Sequence, residues 1–181
     1  TTHLPTLTIL SQLPIPLCDQ GYLPPARQGV HCIGASFGPG DAHIDERATE
    51  HRHNIAMLQQ ALPDLDLTRA DDDWQGHVAL RCNSNDYLPV AGMLPALERF
   101  NQRYDRIRHD RKQVIDSPAP VRPGLAVLTS LGSRGLSAAP LAAEILVDQL
   151  LGSVPPVPRY LQRAIAPARF AERALKRGTP L

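Results

Sequence analysis

The sequence predicts an α+β fold, an antiparallel sheet with covering helices, and two observations carry that reading. From Leu4 to Phe37 short apolar stretches are broken by Pro5, Pro14, Pro16, Gly21, Pro24, Pro25 and Gly29, the pattern of antiparallel strands and hairpins. Later stretches change period: apolar residues recur at helical spacing from Asp41 onward, and the run from Leu136 to Leu151 is almost wholly apolar.

Taken in order, Val30-His31-Cys32-Ile33 is the clearest early strand, ended by Gly34, Gly38 and Gly40. A helix follows within Asp41 to Leu62, where Ile55, Leu58 and Leu62 share a face before Pro63 stops the pattern. Gly76 to Cys82 and Asp86 to Gly92 read as two extended pieces separated by an Asn-rich turn. In a second helix Leu97, Phe100, Tyr104 and Ile107 form the inward stripe, and Arg99, Arg103, Arg106, Arg108, Arg111 and Lys112 take the solvent side. After a Pro-rich link, Leu125 to Thr129 is a compact strand running into Leu131-Gly132-Ser133-Arg134-Gly135-Leu136, and the stretch to Leu151 reads as a buried helix. Gly152 to Leu181 is a Pro- and Arg-rich tail with short helical pieces. The organisation expected is three parts: 1–75, 76–151 and a basic tail at 152–181.

Composition narrows the class. With 43% apolar and 20% charged residues the chain has the balance of a folded globular protein. Nothing resembles a signal peptide or an apolar span of roughly 18 residues, so no membrane partner and a cytoplasmic setting are expected. Cys18, Cys32 and Cys82 are not spaced to hold zinc and read as buried free thiols in a reducing compartment. The opening Thr1-Thr2-His3 lacks a methionine and enters the extended-looking run Leu4 to Leu10 at once, which leads us to expect that sequence upstream has been removed. The net charge of +1 conceals an asymmetry, because residues 1–90 hold 5 basic and 11 acidic side chains and residues 91–181 hold 14 and 7. A polyanion would meet the second half.

The chemistry-bearing element is the turn from Gly132 to Leu136. A strand, a turn with Gly132 and Gly135, and a helix aim free backbone N–H groups and the positive end of a helix dipole at an anion. Glycine lets the backbone approach closely, and Arg134 adds a fixed charge with planar donors. The same Gly-x-x-Gly turn also joins strand to helix in proteins with no ligand, so the turn alone leaves both readings open.

The segment Leu131-Gly132-Ser133-Arg134-Gly135-Leu136-Ser137-Ala138-Ala139-Pro140-Leu141-Ala142-Ala143-Glu144-Ile145-Leu146 resembles the closing flavin segment of the tRNA 5-methylaminomethyl-2-thiouridine oxidoreductases, members of the D-amino-acid-oxidase-like flavoprotein superfamily. Asp19 to Pro24 followed by His31 to Phe37 is similar to that family's substrate-domain hairpin. Val78 to Cys82 with Asp86 to Gly92 is similar to its strand returning to the flavin, and Ala166 to Phe170 with Leu175 to Gly178 resembles its C-terminal tail. The likeness spans nearly the whole chain.

What the resemblance implies is a fragment of an FAD-dependent amine oxidoreductase acting on a CH–NH donor. Its substrate would be 5-carboxymethylaminomethyl-2-thiouridine at the tRNA wobble position, oxidised at the carbon beside the secondary amine. Hydrolysis of the imine would then shed the carboxymethyl group as glyoxylate. It further implies an antiparallel substrate domain plus the C-terminal strand-helix part of an incomplete FAD-binding domain. In that picture Gly132, Ser133, Arg134, Gly135 and Leu136 face the pyrimidine end of the isoalloxazine ring, with Arg81 and Arg134 as partners for flavin or substrate carboxylate. Catalytic residues proper stay unknown, since flavin oxidation of an amine demands no titrating base. A fused methyltransferase half, absent here, would use S-adenosylmethionine.

The Gly-x-Gly-x-x-Gly turn that grips the ADP part of FAD does not occur in this sequence, and Gly34 to Gly40 has the wrong spacing and reads as a loop. The chain alone is therefore expected to hold FAD weakly or not at all and to be inactive, with the N-terminal FAD-binding domain of the same chain as its missing partner. Arg159, Arg163, Arg169, Arg173, Lys176 and Arg177, with the basic face of the second helix, form a candidate tRNA surface.

His51 and His53 sit two apart on a helix, point to different sides and read as solvated surface, so no metal is expected. Asp71-Asp72-Asp73 reads as a solvated turn and Trp74 as packing. Ser133 has no histidine near it in sequence to make a nucleophile pair. Two other functions are weighed: a small-amine oxidase acting on glycine or a D-amino acid, and a non-catalytic RNA-binding module.

Overall fold

The structure, a computed structural model, describes residues 1–67, 74–115 and 117–179. The expected aspartate run at 71–73 lies outside them. The chain forms two compact units, Thr1–Leu80 and Arg81–Leu181. The division falls after Leu80 rather than after residue 75, and the stretch expected as a separate tail belongs to the second unit.

In the first unit β1 (Thr2–Pro5) pairs antiparallel with β4 (Val30–Ile33), and the short β2 (Leu17–Cys18) pairs with β3 (Tyr22–Leu23). The strand expected at Val30–Ile33 is thus observed, while the run to Leu10 leaves the extended path and finishes as a 3-10 turn at Thr8–Leu10. Alternation does the sorting: Thr2, Leu4, His31 and Ile33 turn inward and the residues between them face out, as a period of two requires. Helix α1 (Ala48–Ala61) covers this face, and Leu4, Leu10, Leu23, Ile33, Leu58, Leu65 and Leu67 form the core, with Trp74 packed against it.

His51 corrects the surface reading. It is buried at 6% exposure, its Nδ1 lies 2.9 Å from the Thr2 hydroxyl, and Asn54 Nδ2 donates to the same oxygen at 3.1 Å. These side chains pin α1 onto β1. His53, by contrast, is exposed. Gly76 completes the arrangement, since a Cβ there would stand 2.2 Å from Thr1 O and 2.7 Å from His51 Cε1. The strand expected over Gly76–Cys82 does not form. Only Gly76 finds a bridge, to Thr2, and past His77 no ladder continues and Leu80 is 64% exposed. Alternating apolar residues do not make a strand without a hydrogen-bonding neighbour.

In the second unit β5 (Val90–Pro95) pairs antiparallel with β6 (Val121–Thr129), running from Val90↔Thr129 to Pro95↔Val121 with a register shift between Met93 and Pro95. The single helix expected here is two, α2 (Leu97–Tyr104) and α3 (Arg106–His109), which bury Phe100, Tyr104 and Ile107 as the spacing predicts but leave Leu97 38% exposed at the helix start, with the Phe100 and Tyr104 rings stacked at 4.2 Å. Their partners are Ala171 and Leu175 of α6 (Ala168–Arg177), which follows α5 (Arg159–Ile165). Helix α4 (Gly135–Leu151) lies against β5 and β6. It is a helix as expected but not a buried one: only Ala142 and Ile145 are buried, and Leu136 and Leu151 are 99% and 74% exposed. The two-stranded sheet covers a single face of an all-round apolar helix. Antiparallel sheets and segregated helices give the α+β class predicted. No helix among the described residues is long and apolar enough to cross a membrane.

Candidate functional site

The corner from Thr129 to Leu136 is built by β6 running into a 3-10 turn at Gly132–Arg134 and then into α4. Ser130 (φ 56°) and Gly132 (φ 60°) both take left-handed backbone, which turns the chain sharply. At Gly132 glycine is required twice over, because a Cβ would also lie 2.7 Å from Asn83 Oδ1. Gly135 is different. A Cβ there would meet only Leu131 Cβ, at an ordinary 3.6 Å.

The corner is open. Ser133, Arg134 and Leu136 are exposed, and no side chain caps the start of α4. First-turn amides of a helix have no intrahelical acceptor, so this end presents donors and the positive pole of the peptide dipoles. Two donors are spent: the Gly132 N–H is bonded to Cys82 O at 3.2 Å and the Arg134 N–H to Leu131 O at 3.3 Å, so the expected array of free amides excludes both residues.

The same bond shows where Arg81 stands. Cys82 is tied to Gly132, and Asn83 bridges Leu131, so the segment following Arg81 is stitched alongside the corner. Arg81 itself is exposed. The Cys82 sulfur lies 3.5 Å from the Ser130 hydroxyl and 3.7 Å from that of Thr129, and these hydrogen bonds, Ser130 first, hold its thiol below the usual range. Cys82, Cys18 and Cys32 are all exposed, which corrects the expectation of buried thiols.

One cluster escaped the sequence reading. Asp86 accepts from Arg169 through two bonds, Nε to Oδ2 at 2.9 Å and Nη2 to Oδ1 at 3.0 Å, and Arg173 Nη1 also binds Oδ2. Ser84 Oγ (2.7 Å) and the Leu88 amide (3.2 Å) complete the shell. Arg169, 6% exposed, donates further to the carbonyls of Ile165, Ala166 and Leu88 and lies over the Phe170 ring. Hydrogen bonds from Arg169 above all, with those from Ser84, Arg173 and Leu88, hold the Asp86 carboxyl far below its ordinary range despite an opposing contribution from burial. Arg169 and Arg173 were expected on a tRNA-facing surface. They are engaged inside the second unit instead, and Lys176 is paired with Glu172 at 2.6 Å.

Elsewhere, a cavity of about 210 Å³ between β2, β3 and α1 is lined mainly by Leu17, Leu23, Ile33, Met57 and Leu62. Cys18, a free thiol, and Asp19 also line it. Among the described residues no three His, Cys, Asp or Glu side chains gather as a metal site.

The sequence profile of the family described as FAD dependent oxidoreductase matches residues 1–149. The chain belongs to the FAD-dependent oxidoreductase family. Curated relatives agree in kind. The chain is 41% identical over 182 residues to the tRNA 5-methylaminomethyl-2-thiouridine biosynthesis bifunctional protein MnmC of Aeromonas salmonicida, covering 99% of this chain and 27% of that protein. It is 37% identical to the protein of that name from Shewanella amazonensis, covering 99% of this chain and 28% of that protein. Against the one from Pseudomonas fluorescens identity is 41%, over 90% of this chain and 25% of that protein. The chain thus spans about a quarter of the length of the relatives it matches.

For this family the cofactor question becomes whether the corner fits a flavin. Exposed Ser133 and Arg134, an uncapped helix start and a Gly135 whose absent Cβ would make only an ordinary contact suit the electron-rich edge of a flat ring.

Proposed function

We propose that this chain is the substrate-domain and flavin-closing portion of an oxidoreductase that removes the carboxymethyl group from 5-carboxymethylaminomethyl-2-thiouridine at the tRNA wobble position. The observation that carries the reading is the open, uncapped corner at Gly132–Leu136 with the Arg81–Asn83 segment stitched to it. The relatives are named for tRNA 5-methylaminomethyl-2-thiouridine biosynthesis, which supports a role in tRNA modification.

Residues Ser133 to Leu136 would hold the pyrimidine edge of FAD, which when bound supplies the two-electron acceptor for oxidation of the CH–NH bond. The α4 amides stabilise negative charge at that edge because their dipoles are already aimed there. Arg134 and Arg81 would offer guanidinium groups, whose planar forks suit two-pronged binding of a substrate carboxylate. No side chain is needed to remove a proton from a neutral amine.

The rest of the nucleotide-binding domain is the proposed partner within the same protein. The exposed apolar side of α4, with Leu136, Val147, Leu150 and Leu151, supports this, because a contiguous exposed apolar surface marks a contact site. The chain alone should then hold FAD weakly; a purified sample with a stoichiometric flavin absorption band would contradict that. S-adenosylmethionine would serve only a further methyltransferase half.

The deciding experiment incubates the intact flavin-loaded protein with tRNA carrying the carboxymethylaminomethyl base and digests it to nucleosides. An aminomethyl nucleoside with equimolar glyoxylate supports the proposal. Turnover of free glycine or a D-amino acid with none on tRNA would select a small-amine oxidase, and an intact protein without flavin would select a non-catalytic RNA-binding module.

A further inference from the structure

The second unit contains a cleft of about 680 Å³ with α2, α3 and the segment after them on one side and α5 and α6 on the other. Its cations fall into two groups. Arg169 and Arg173 are bound to Asp86, and Lys176 to Glu172. Arg111 and Lys112 on one wall, and Arg159 and Arg163 on the other, are exposed and make no ion pair among the described residues. Glu172, already paired, is the one carboxylate among the lining residues described.

We infer that this cleft is where the RNA backbone runs, with Arg111 and Lys112 gripping phosphates from one rim and Arg159 and Arg163 from the other. The inference rests on the reading above that the partner is a tRNA, and it moves the contact surface from the tail at large to two facing rims. Like charges held on facing walls repel, and a polyanion between them relieves that repulsion while releasing its own counterions. Three of the four free cations are guanidinium groups, whose planar forks match phosphate oxygens. On α5 the ring of Tyr160, 68% exposed and outside the cleft lining, lies in sequence between Arg159 and Arg163 and offers a stacking face beside the cleft that an unpaired base can use and a carboxylate cannot.

The test uses the intact protein and an unmodified tRNA transcript, with binding measured from about 50 to 200 mM salt. Arg159→Glu/Arg163→Glu and Arg111→Glu/Lys112→Glu should each weaken binding at least tenfold. Each should also lower the slope of log K against log salt by about 1 to 2, since each phosphate contact contributes roughly 0.7–0.9. The neutral Arg159→Gln/Arg163→Gln pair should lie between. Arg106→Glu, on α3 outside the cleft lining, should change affinity less than twofold, and unchanged urea midpoints and flavin absorbance establish that the variants fold. Normal tRNA binding that the rim reversals leave untouched overturns the cleft alone. So does an equal loss in Arg106→Glu, which would mean diffuse attraction, or equal competition by polyglutamate, which would mean an acidic peptide site. Failure of the unaltered protein to bind tRNA overturns the functional reading and this inference together.

Discussion

Arg169 and Asp86, 83 residues apart in sequence, meet as a two-pronged ion pair that ties α6 to the loop leading into β5. Arg169 is 6% exposed and Asp86 16%, so neither keeps full hydration and each depends on the other. The pair also joins two stretches, around Asp86 and around Arg169, that carried the family resemblance from opposite ends of the second unit.

Breaking that pair should destabilise the second unit. Asp86→Asn keeps the size and loses the charge, leaving Arg169 buried without its counter-ion. A loss of about 3 kcal/mol is expected, the lower end for a broken buried pair because Asp86 retains some exposure. Arg169→Lys should lose nearly as much, since an ammonium cannot reproduce the fork. Urea midpoints of the intact protein measure both, and a midpoint shift within error would show the pair to be ornamental.

The same carboxyl predicts a pH signature. Its folded value is depressed, so its contribution is fully present above the unfolded carboxylate value of about 4 and is lost as pH falls towards the folded value. The stability gap between wild type and Asp86→Asn should therefore stay constant from pH 8 to 5 and narrow below about pH 4. Urea titrations from pH 2.5 to 8 test the sign, and a gap that closes between pH 6 and 8 would mean that another group is responsible.

Legibility in the sequence followed the range of the interaction. The strand at Val30–Ile33 depends on spacing within one element and formed as read, and the stripe read over Leu97, Phe100, Tyr104 and Ile107 formed at the last three, while Leu97 is 38% exposed. Arg169 and His51 depend on a partner far along the chain. An arginine in a basic, Pro-rich stretch and a histidine between polar neighbours look solvated until Asp86 and Thr2 are brought to them. The exposure of α4 was hidden for a related reason: an apolar run shows what a helix could bury, while the cover is set by neighbouring elements. At the site, the turn and its glycines were visible locally, but the use of the Gly132 amide by Cys82 was not.

The two glycines of the corner should separate folding from cofactor binding. Gly132→Ala places a side chain at φ 60° against Asn83 Oδ1 and should cost at least roughly 1–2 kcal/mol, the penalty of left-handed backbone. Gly135→Ala meets no obstruction in the fold, so its stability should stay within about 0.5 kcal/mol of wild type. If Gly135 faces the ring, the added methyl should still lower flavin retention in the intact protein severalfold. Thermal unfolding with and without FAD, beside flavin absorbance after dialysis, reads both. Full retention of flavin by Gly135→Ala would remove this residue from the proposed contact.

Cys82 offers a reporter on the corner from inside the chain. Its sulfur is held by the Ser130 and Thr129 hydroxyls, which stabilise the thiolate and lower its pKa, so at neutral pH more of it is nucleophilic than in an ordinary cysteine near 8.5. Alkylation of the Cys82 peptide, followed by mass spectrometry across pH 6 to 10, should therefore show a midpoint below that value. Ser130→Ala should raise the midpoint, because it removes the first of the two hydroxyls. Because the Cys82 carbonyl holds the Gly132 amide, a ring seated on the corner should also shield the thiol. Loading the intact protein with FAD is then expected to slow Cys82 alkylation severalfold relative to Cys18, and equal slowing at both would place the cofactor's effect elsewhere.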